Sequence, residues 1–243
     1  MHKSLFTLFC CLLSAAGLMA QITDPRATEV WEPEPRPVNP GPIGGPPSDA
    51  FILFDGADLS QWQHPNGKPA AWKLEANTMT VVKGAGDIET RRSFADCQLH
   101  LEFRTPTAIE GEGQGRGNSG IFFQNRYEVQ ILDSYQNRTY SNGQAGAVYK
   151  QYAPLVNPMR APGEWNTYDI IFTAPRFNND GQRTSPGYLT VLLNGVLVQN
   201  HVLIHGTTEY IGLPKNAAHG PAPIRLQDHG NPIGFRNIWI REL

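Results

Sequence analysis

From Ala50 onward, short runs of residues with strand-like alternation are separated by glycine, proline and asparagine turns, and no stretch keeps a helical period for long. This pattern is typical of a sandwich or barrel built from β-strands. Between two such runs, Asn194-Gly195 supplies the positive φ angles of a type I′ turn and predicts a hairpin. The chain is therefore expected to form an all-β domain of two packed sheets. Its twelve predicted strands are residues 51–54, 71–75, 79–83, 88–90, 98–104, 120–123, 127–132, 167–173, 188–193, 196–201, 224–227 and 235–241.

The N-terminus predicts export. A polar start that contains Lys3 is followed by 16 mostly apolar residues, Leu5 to Ala20, and then by a polar stretch. A membrane span needs about 20 apolar residues, so this shorter run, ending at a small residue, indicates a secretory signal peptide. We predict that the signal peptide is residues 1–20, with cleavage after Ala20. The mature chain is then expected to have no membrane span.

Residues 21–49 are dense in proline and are predicted to form an extended arm that acts as a spacer. The domain itself is predicted to span residues 50–243. Once the signal peptide is removed, Cys97 is the only cysteine, so the domain is expected to have no internal disulfide. Cys97 shares the apolar face of an alternating segment, which predicts a core residue rather than a nucleophile.

The charge balance argues against one class of partner. The formal net charge is -2, whereas nucleic-acid binders rely on a basic surface that neutralises phosphates. Nucleic acid is therefore not an expected partner.

A candidate site lies in residues 117–133, where a glycine-containing loop is followed by two strand-like segments. In the second segment, alternation places Tyr127 and Val129 on one face and Glu128 and Gln130 on the other. A carboxylate and an amide then point the same way. The simpler interpretation is the solvent-facing side of a half-exposed strand.

A second cluster of polar residues is predicted near the end of the chain. Arg225, Gln227 and His229 share one face of a strand by alternation. Histidine can serve as an acid, a base or a ligand near neutral pH, although His229 could instead simply cap the strand end. The sequence has no His-Glu-x-x-His, Cys-x-x-Cys or calcium-loop pattern.

Three loops are expected to surround a ligand. Residues 111–117 are glycine-rich but lack the β-α-β context of a phosphate site, so we expect them to let the backbone approach a ligand. The irregular stretches 136–165 and 202–222 are long for a compact β-domain. Such loops often form the rim of a binding site.

The spacing of Glu128, Gln130 and Asp133 resembles the Glu-x-Asp-x-x-Glu strand of laminarinase-type glycoside hydrolases, with Gln130 in place of the middle acid. A retaining glycosidase needs two carboxyl groups about 5 Å apart. Without a bulge, Asp133 is expected to point away from Glu128. Conventional retaining hydrolysis is therefore not the leading hypothesis.

Several sequence blocks together resemble one family. They are LFDGADLSQW at residues 53–62, GNSGI at 117–121, YEVQILD at 127–133, LQDHGNP at 226–232 and FRNIWIREL at 235–243. Over about residues 50 to 243, the chain resembles the bacterial exported family named for 3-keto-disaccharide hydrolase, or 3-keto-glucoside 1,2-lyase and hydratase, activity. The resemblance implies a concanavalin A-like jelly-roll sandwich of two antiparallel sheets, with the ligand on the concave sheet. It also implies an enzyme of the bacterial periplasm or the extracellular space.

The resemblance implies a glycoside or oligosaccharide substrate whose oxidised C3 acidifies the hydrogen on C2. A base removes this hydrogen, the enolate expels the aglycone from C1, and water then adds. Glu128 and His229 are the candidates for proton transfer, with the acid and base roles unassigned. No cofactor is required, although a divalent cation held by Glu128 or His229 could stabilise the enolate. The candidates for orienting hydroxyls or the enolate are Asn118, Gln130, Arg225 and Gln227.

Sugar recognition also calls for aromatic side chains, because their faces stack on pyranose C–H groups. Three residues in or beside the first long loop are the candidate platforms, namely Tyr149, Tyr152 and Trp165. Lys150 could reach a carbonyl or hydroxyl group from the rim, although a solvated surface lysine is the simpler interpretation.

Two other functions stay open at this point. A jelly roll is also a lectin scaffold, so a non-catalytic glycan-binding module is the first alternative. The second is a conventional glycoside hydrolase that acts on unoxidised glycans.

Overall fold

The computed structural model describes residues 22–243, and the predicted signal peptide with its cleavage site after Ala20 lies outside the described residues. The chain divides into a unit that ends at Pro37 and a compact unit from Val38 to Leu243. In the first unit, the described residues contain one short 3₁₀ helix and are exposed throughout. Across residues 22–243, no helix is long and apolar enough to cross a membrane.

Fifteen strands and three short 3₁₀ helices make up the regular structure of residues 22–243. The helices are Pro25–Thr28, Gly113–Gly115 and Ser141–Gly143. The strands are β1 (Phe51–Phe54), β2 (Trp62–Gln63), β3 (Lys73–Glu75), β4 (Thr78–Thr80), β5 (Ile88–Phe94), β6 (Cys97–Arg104), β7 (Ser119–Phe123), β8 (Tyr127–Ile131), β9 (Trp165–Thr173), β10 (Arg176–Phe177), β11 (Arg183–Ser185), β12 (Gly187–Leu193), β13 (Val196–Ile204), β14 (Ala222–Leu226) and β15 (Gly234–Glu242).

All twelve predicted strands are present, with some ends shifted by a few residues. The three strands that the sequence pattern missed are β2, β10 and β11, which are two, two and three residues long. A run of this length is too short to display the alternation by which a strand is recognised.

The strands form two large antiparallel sheets, which confirms the predicted fold class. One sheet has eight strands in the order β13-β12-β9-β6-β15-β4-β3, with β1 pairing along β15. The other has five strands in the order β2-β5-β14-β7-β8. A small ladder of β10 and β11 stands apart from both.

Apolar side chains from the two sheets meet in a common core. The ring of Phe123 on β7 lies 4.9 Å from that of Phe172 on β9, and the hydroxyl of Tyr168 donates across the core to the carbonyl oxygen of Gln130 at 2.7 Å. Each fully buried aromatic side chain contributes about 1.5 to 3 kcal/mol to stability. Cys97 is buried in this core as predicted, and burial raises the pKa of its thiol.

The hairpin between β12 and β13 has the predicted turn, with φ of 54° at Asn194 and 75° at Gly195. Asn194 also holds neighbouring loops together. Its side-chain oxygen accepts from the backbone N–H of Thr167 at 2.9 Å. Its amide nitrogen donates to the carbonyl of Pro158 at 2.9 Å and to Asn166 Oδ1 at 2.8 Å.

We expect Asn194→Ala to lower the free energy of unfolding by about 2 to 4 kcal/mol, because it removes these hydrogen bonds and strains the positive-φ backbone. Gly195→Ala is the matched control. A Cβ at Gly195 would meet nothing within 4 Å, so only backbone strain of about 1 kcal/mol is expected. Urea unfolding of both variants checks this, and equal losses would contradict the role of the Asn194 side chain.

Candidate functional site

A row of side chains crosses the outer face of the five-stranded sheet. The strand register sets Gln63, Glu89, Arg225, Phe122 and Glu128 opposite one another on successive strands. The residues that alternate with this row in β7 and β8 belong to the core between the sheets. The Glu128 side chain is therefore at the β8 end of the row, on the face turned away from the eight-stranded sheet.

A cavity of about 730 Å³ lies beside Glu128, within the range of small-molecule sites. Strands β7 and β8 supply its floor, and segments 114–118, 140–150, 208–210 and 227–229 supply its walls. The loops predicted to surround a ligand thus contribute to one cavity. Its lining residues are Gln114, Gly115, Asn118, Phe122, Glu128, Gln130, Tyr140, Tyr149, Lys150, Thr208, Tyr210, Gln227 and His229.

The free edge of β8 is covered by residues 146–149. The backbone N–H of Tyr149 donates to the carbonyl of Glu128 at 3.1 Å, and that of Gly146 donates to the carbonyl of Gln130 at 3.0 Å. Both faces of β8 are also buried, and Glu128 and Gln130 are only 4% and 1% exposed. This segment is therefore not the solvent-facing side of a half-exposed strand.

Burial changes the acid–base chemistry of Glu128. Desolvation in the cavity floor raises the pKa of its carboxyl group to about 8, with Arg225 opposing the shift and Asp87 adding to it. The carboxyl group is then mostly protonated at neutral pH and, once ionised, is a stronger base than an ordinary glutamate. Perturbed pKa values of this kind are concentrated at functional sites.

Gly120 makes room for the Glu128 carboxyl group. It pairs with Gln130 across β7 and β8, and a Cβ built at Gly120 would lie 2.5 Å from Glu128 Oε1. Any larger residue would force the carboxyl group to move. The second glycine of the Gly-Asn-Ser-Gly motif is therefore required by the position of Glu128.

The amide of Gln130 has two alternative orientations. In one, its nitrogen donates to Gln114 Oε1 at 3.0 Å. In the other, the nitrogen donates to Glu128 Oε1 at 3.1 Å and to the Ser119 carbonyl at 3.0 Å. In the second orientation the amide nitrogen donates to the Glu128 carboxylate, and in the first the amide oxygen can accept from the protonated carboxyl group. The Gln130 amide therefore contacts Glu128 Oε1 in either protonation state, at a place where a second acid would otherwise share a proton with it.

Asp133 does not pair with Glu128. Its Oδ2 accepts from Arg116 Nε at 2.7 Å, and its Oδ1 accepts from the backbone N–H of Tyr135 at 3.2 Å. With Arg116, it lines a separate cavity of about 100 Å³. Among the described residues that line the large cavity, Glu128 is the one carboxylate.

The structure brings together seven of the ten predicted site residues in the lining of the large cavity. The other three, Arg225, Tyr152 and Trp165, do not line it. The seven residues are Asn118, Glu128, Gln130, Tyr149, Lys150, Gln227 and His229.

His229 lies on the exposed side of the cavity, on a turn that Asp228 fixes. Asp228 Oδ2 accepts from the backbone N–H groups of Gly84 at 2.8 Å and Gly86 at 3.0 Å, and its Oδ1 accepts from that of Gly230 at 2.9 Å. The side chain that accepts hydrogen bonds from the backbone beyond the end of β14 is therefore Asp228 rather than His229.

Arg225 lies on the same sheet face as Glu128 but outside the cavity lining. Its Nη1 is 3.2 Å from Asp87 Oδ2, and its guanidinium carbon is 4.1 Å from the centre of the Phe122 ring. Alternation predicted its face correctly. The bulk of the intervening Phe122 ring separates it from the cavity.

Trp165 is the first residue of β9, in the eight-stranded sheet. The guanidinium carbons of Arg104 and Arg236 lie 4.7 and 4.1 Å from its ring centre. By residue 165 the chain has left the loop and entered the opposite sheet, so this tryptophan is not brought to the cavity.

Five other lining side chains were not predicted as site residues. The loop lengths indicated the segments that carry them, but an irregular loop has no period that would identify the inward-facing side chain. Phe122, which lies on β7, could have been predicted, because it alternates with the core residue Ile121. The five are Gln114, Phe122, Tyr140, Thr208 and Tyr210.

The cavity offers few ligands for a metal ion. Over residues 22–243, no three or more histidine, cysteine, aspartate or glutamate side chains come together as a group that could hold one. The donors in the lining are the Glu128 carboxyl group, the His229 imidazole and amide oxygens.

Comparison with known proteins gives a consistent result. Residues 50–241 match the family model described as a 3-keto-alpha-glucoside-1,2-lyase-like domain. A crystal structure of a provisionally assigned glycosyl hydrolase from Parabacteroides distasonis shares 54% sequence identity, covers 90% of this chain and 97% of that chain, and gives a TM-score of 0.87. No curated protein matches the sequence.

Two more distant structures from the same organism share the fold. Both are provisionally assigned glycosyl hydrolases, with 21% and 24% sequence identity and TM-scores of 0.59 and 0.55. Each covers 80% of this chain, and the coverage of those chains is 94% and 99%.

Glu128→Gln tests the burial of the carboxyl group through stability. The folded-state pKa of about 8 lies above the ordinary glutamate pKa of 4.5, so the folded state binds the proton more tightly. Stability from this group is therefore lost as pH rises from about 4.5 to about 8. We expect the free energy of unfolding of the glutamine variant, relative to that of wild type, to rise by a few kcal/mol between pH 5 and pH 9. The upper limit is on the order of the free energy that corresponds to the full pKa shift.

Denaturant unfolding at the two pH values measures this difference. Glu75→Gln, which removes an exposed carboxyl group from β3, controls for the change in net charge. A Glu128→Gln variant whose stability relative to wild type is the same at pH 5 and pH 9 would contradict the raised pKa.

Proposed function

Because this chain belongs to the 3-keto-alpha-glucoside-1,2-lyase-like family over residues 50–241, we propose that it cleaves 3-keto-glycosides by elimination and hydration. The observation that carries the proposal is the single buried carboxyl group at the cavity floor, with the amide of Gln130 beside it. Proton abstraction next to a ketone needs one positioned base, and a carboxylate with a raised pKa is suited to that role.

We assign the base role to Glu128 and the acid role to His229 from their depths in the cavity. The sugar ring must enter the cavity floor, where Glu128 is 4% exposed. The aglycone must leave through the open side, where His229 is exposed. This arrangement favours Glu128 for the C2 proton of the ring and His229 for the glycosidic oxygen.

The proposed reaction has three steps: deprotonation at C2, elimination at C1 and hydration. Ionised Glu128 takes the C2 proton, the electron pair of the C–H bond forms the C2–C3 double bond, and the C3 oxygen takes the negative charge. When the enolate collapses, the C3 carbonyl re-forms, a C1–C2 double bond forms, the C1–O bond breaks and the leaving oxygen takes a proton from His229. Water then adds across the C1–C2 double bond: its hydroxyl goes to C1 while His229 takes its proton, and Glu128 returns a proton to C2. This gives the 3-keto sugar and restores both residues.

The amides of Asn118, Gln130 and Gln227 are placed to orient substrate hydroxyl groups. Lys150 reaches the rim, where its Nζ lies 4.3 Å from the centre of the Tyr210 ring. A divalent cation, if one binds, would use Glu128 or His229 and would stabilise negative charge on the substrate. The steps above require no such ion.

A conventional retaining glycosidase is less well supported. It needs a second carboxyl group about 5 Å from the first, whereas Gln130 stands beside Glu128 and Asp133 is paired with Arg116. A non-catalytic lectin is also less well supported, since binding alone does not require a desolvated carboxyl group of raised pKa.

We expect Glu128→Gln and His229→Ala each to lower kcat/KM on 3-keto-glucosides by about two to four orders of magnitude, because each removes a proton-transfer group. The assay is product formation from a panel of 3-keto-glucosides, with and without added divalent metals. His201→Ala, on the opposite sheet and stacked on Tyr188, is the control and should keep wild-type activity.

Three results would contradict the proposal. If wild-type protein leaves every 3-keto-glucoside intact, the reaction is wrong for that panel. Glycan binding without product would indicate the lectin alternative. Hydrolysis of an unoxidised glucan that is abolished by Glu128→Gln would indicate the conventional glycosidase.

We also propose that residues 1–20 direct export, so that the reaction takes place in the periplasm or outside the cell. Fractionation of bacteria that express the chain with and without residues 1–20 tests this. Only the full chain should leave the cytoplasm, in a form that begins at residue 21. An unprocessed full chain that remains in the cytoplasm would contradict the proposal.

A further inference from the structure

Two tyrosines that the steps above do not use form one wall of the cavity. The hydroxyl groups of Tyr140 and Tyr149 lie 2.6 Å apart, with the rings in an edge-on arrangement 6.2 Å between centres. Lys150 Nζ is 5.8 Å from the centre of each ring. Phenol hydroxyl groups and a cation on one wall favour a substrate atom that carries negative charge.

The Tyr140 ring is held in place by its own turn. Gly143 packs under the ring so closely that a Cβ there would lie 2.1 Å from the ring carbon Cε2. The backbone N–H of Gly143 donates to the Tyr140 carbonyl at 3.0 Å. Gln114 Nε2 donates to the Gly143 carbonyl at 2.9 Å. The ring is thus packed against a turn that is itself tied to the cavity wall.

The contact between the two hydroxyl groups uses one proton and leaves the other free. Tyr149 is 9% exposed and Tyr140 is 39% exposed. A buried donor must be satisfied within the protein, whereas an exposed one can point at a ligand. Either hydroxyl group can be the donor in this contact, and burial favours Tyr149 as the donor to Tyr140, which leaves the Tyr140 proton free. Burial and this hydrogen bond both raise the pKa of Tyr149.

From this geometry we infer that Tyr140, supported by Tyr149, donates a hydrogen bond to the oxyanion on C3 of the substrate; this inference rests on the proposed function. When Glu128 takes the C2 proton, the C3 carbonyl oxygen gains the charge, and the Tyr140 O–H meets it without transferring its proton. Tyr149 strengthens this donor, since hydrogen bonds in a chain polarise one another.

A donor role suits this pair better than a proton-transfer role. Burial and the hydrogen bond to Tyr140 raise the pKa of Tyr149, so Tyr149 keeps its proton in that hydrogen bond. Neutral hydroxyl groups of this kind stabilise oxyanions in other enzymes that form enolates. His229, on the exposed side, is left to protonate the leaving oxygen.

The decisive measurement is exchange of the C2 hydrogen of a methyl 3-keto-glucoside in D₂O, followed by NMR, together with kcat and KM for its cleavage. Exchange reports enolate formation alone, without departure of the leaving group. We expect Tyr140→Phe to lower both exchange and kcat about 100-fold with little change in KM, as for loss of one oxyanion donor. Tyr149→Phe should lower both less than about tenfold, because the Tyr140 proton remains free.

Wild-type exchange or cleavage must be observed first, since its absence would contradict the proposed function rather than the tyrosine assignment. With wild type active, unchanged exchange in Tyr140→Phe overturns the inference. Exchange that is unchanged while cleavage falls would instead make Tyr140 an acid for the leaving group. A larger loss of exchange in Tyr149→Phe than in Tyr140→Phe would make Tyr149 the donor to the substrate. That result would also overturn the inference.

Two further variants distinguish the effect of losing the Tyr140 hydroxyl group from a general effect on the fold. Tyr188→Phe removes a tyrosine hydroxyl from β12, in the opposite sheet, and should leave exchange at the wild-type rate. Gly143→Ala keeps both hydroxyl groups but displaces the Tyr140 ring, so it should slow exchange as Tyr140→Phe does. Wild-type exchange in Gly143→Ala would contradict the requirement for this ring position.

Discussion

Backbone hydrogen bonds between β8 and residues 146–149 close the edge of the five-stranded sheet, and the cavity depends on them. An open sheet edge would expose unpaired backbone groups and invite association with other chains. Here the segment that covers the edge also carries Tyr149 to the wall of the cavity that Glu128 lines, and Lys150 follows it directly. Protection of the sheet and construction of the site are thus achieved by one piece of chain.

The buried carboxyl group illustrates a conflict between stability and chemistry. Desolvation of Glu128 opposes its ionised form and so weakens the folded state at high pH. The same desolvation gives a base strong enough to act beside a ketone. Gly120 and Gln130 limit the conflict, since the glycine leaves space for the carboxyl group and the amide can donate to it. Neither residue is explained by packing alone.

Alternation in the sequence was sufficient to predict twelve strands, the packing of two sheets and the common face of Glu128 and Gln130, because these depend on local periodicity. It could not predict that Phe122 separates Arg225 from the cavity, since that depends on the size of a side chain from a neighbouring strand. Tyr140 was missed and Trp165 was misplaced for a related reason. Their positions depend on where an irregular loop turns, and no periodic pattern records that.

The hydrogen bond from Tyr168 to the Gln130 carbonyl joins the strand at the cavity floor to the opposite sheet through the middle of the core. The apolar contacts between the two sheets are non-directional and individually weak, whereas the hydrogen bond at 2.7 Å is directional. The floor of the cavity is therefore mechanically coupled to the whole sandwich. Distortion of the far sheet would reach the backbone of Gln130 directly through this bond.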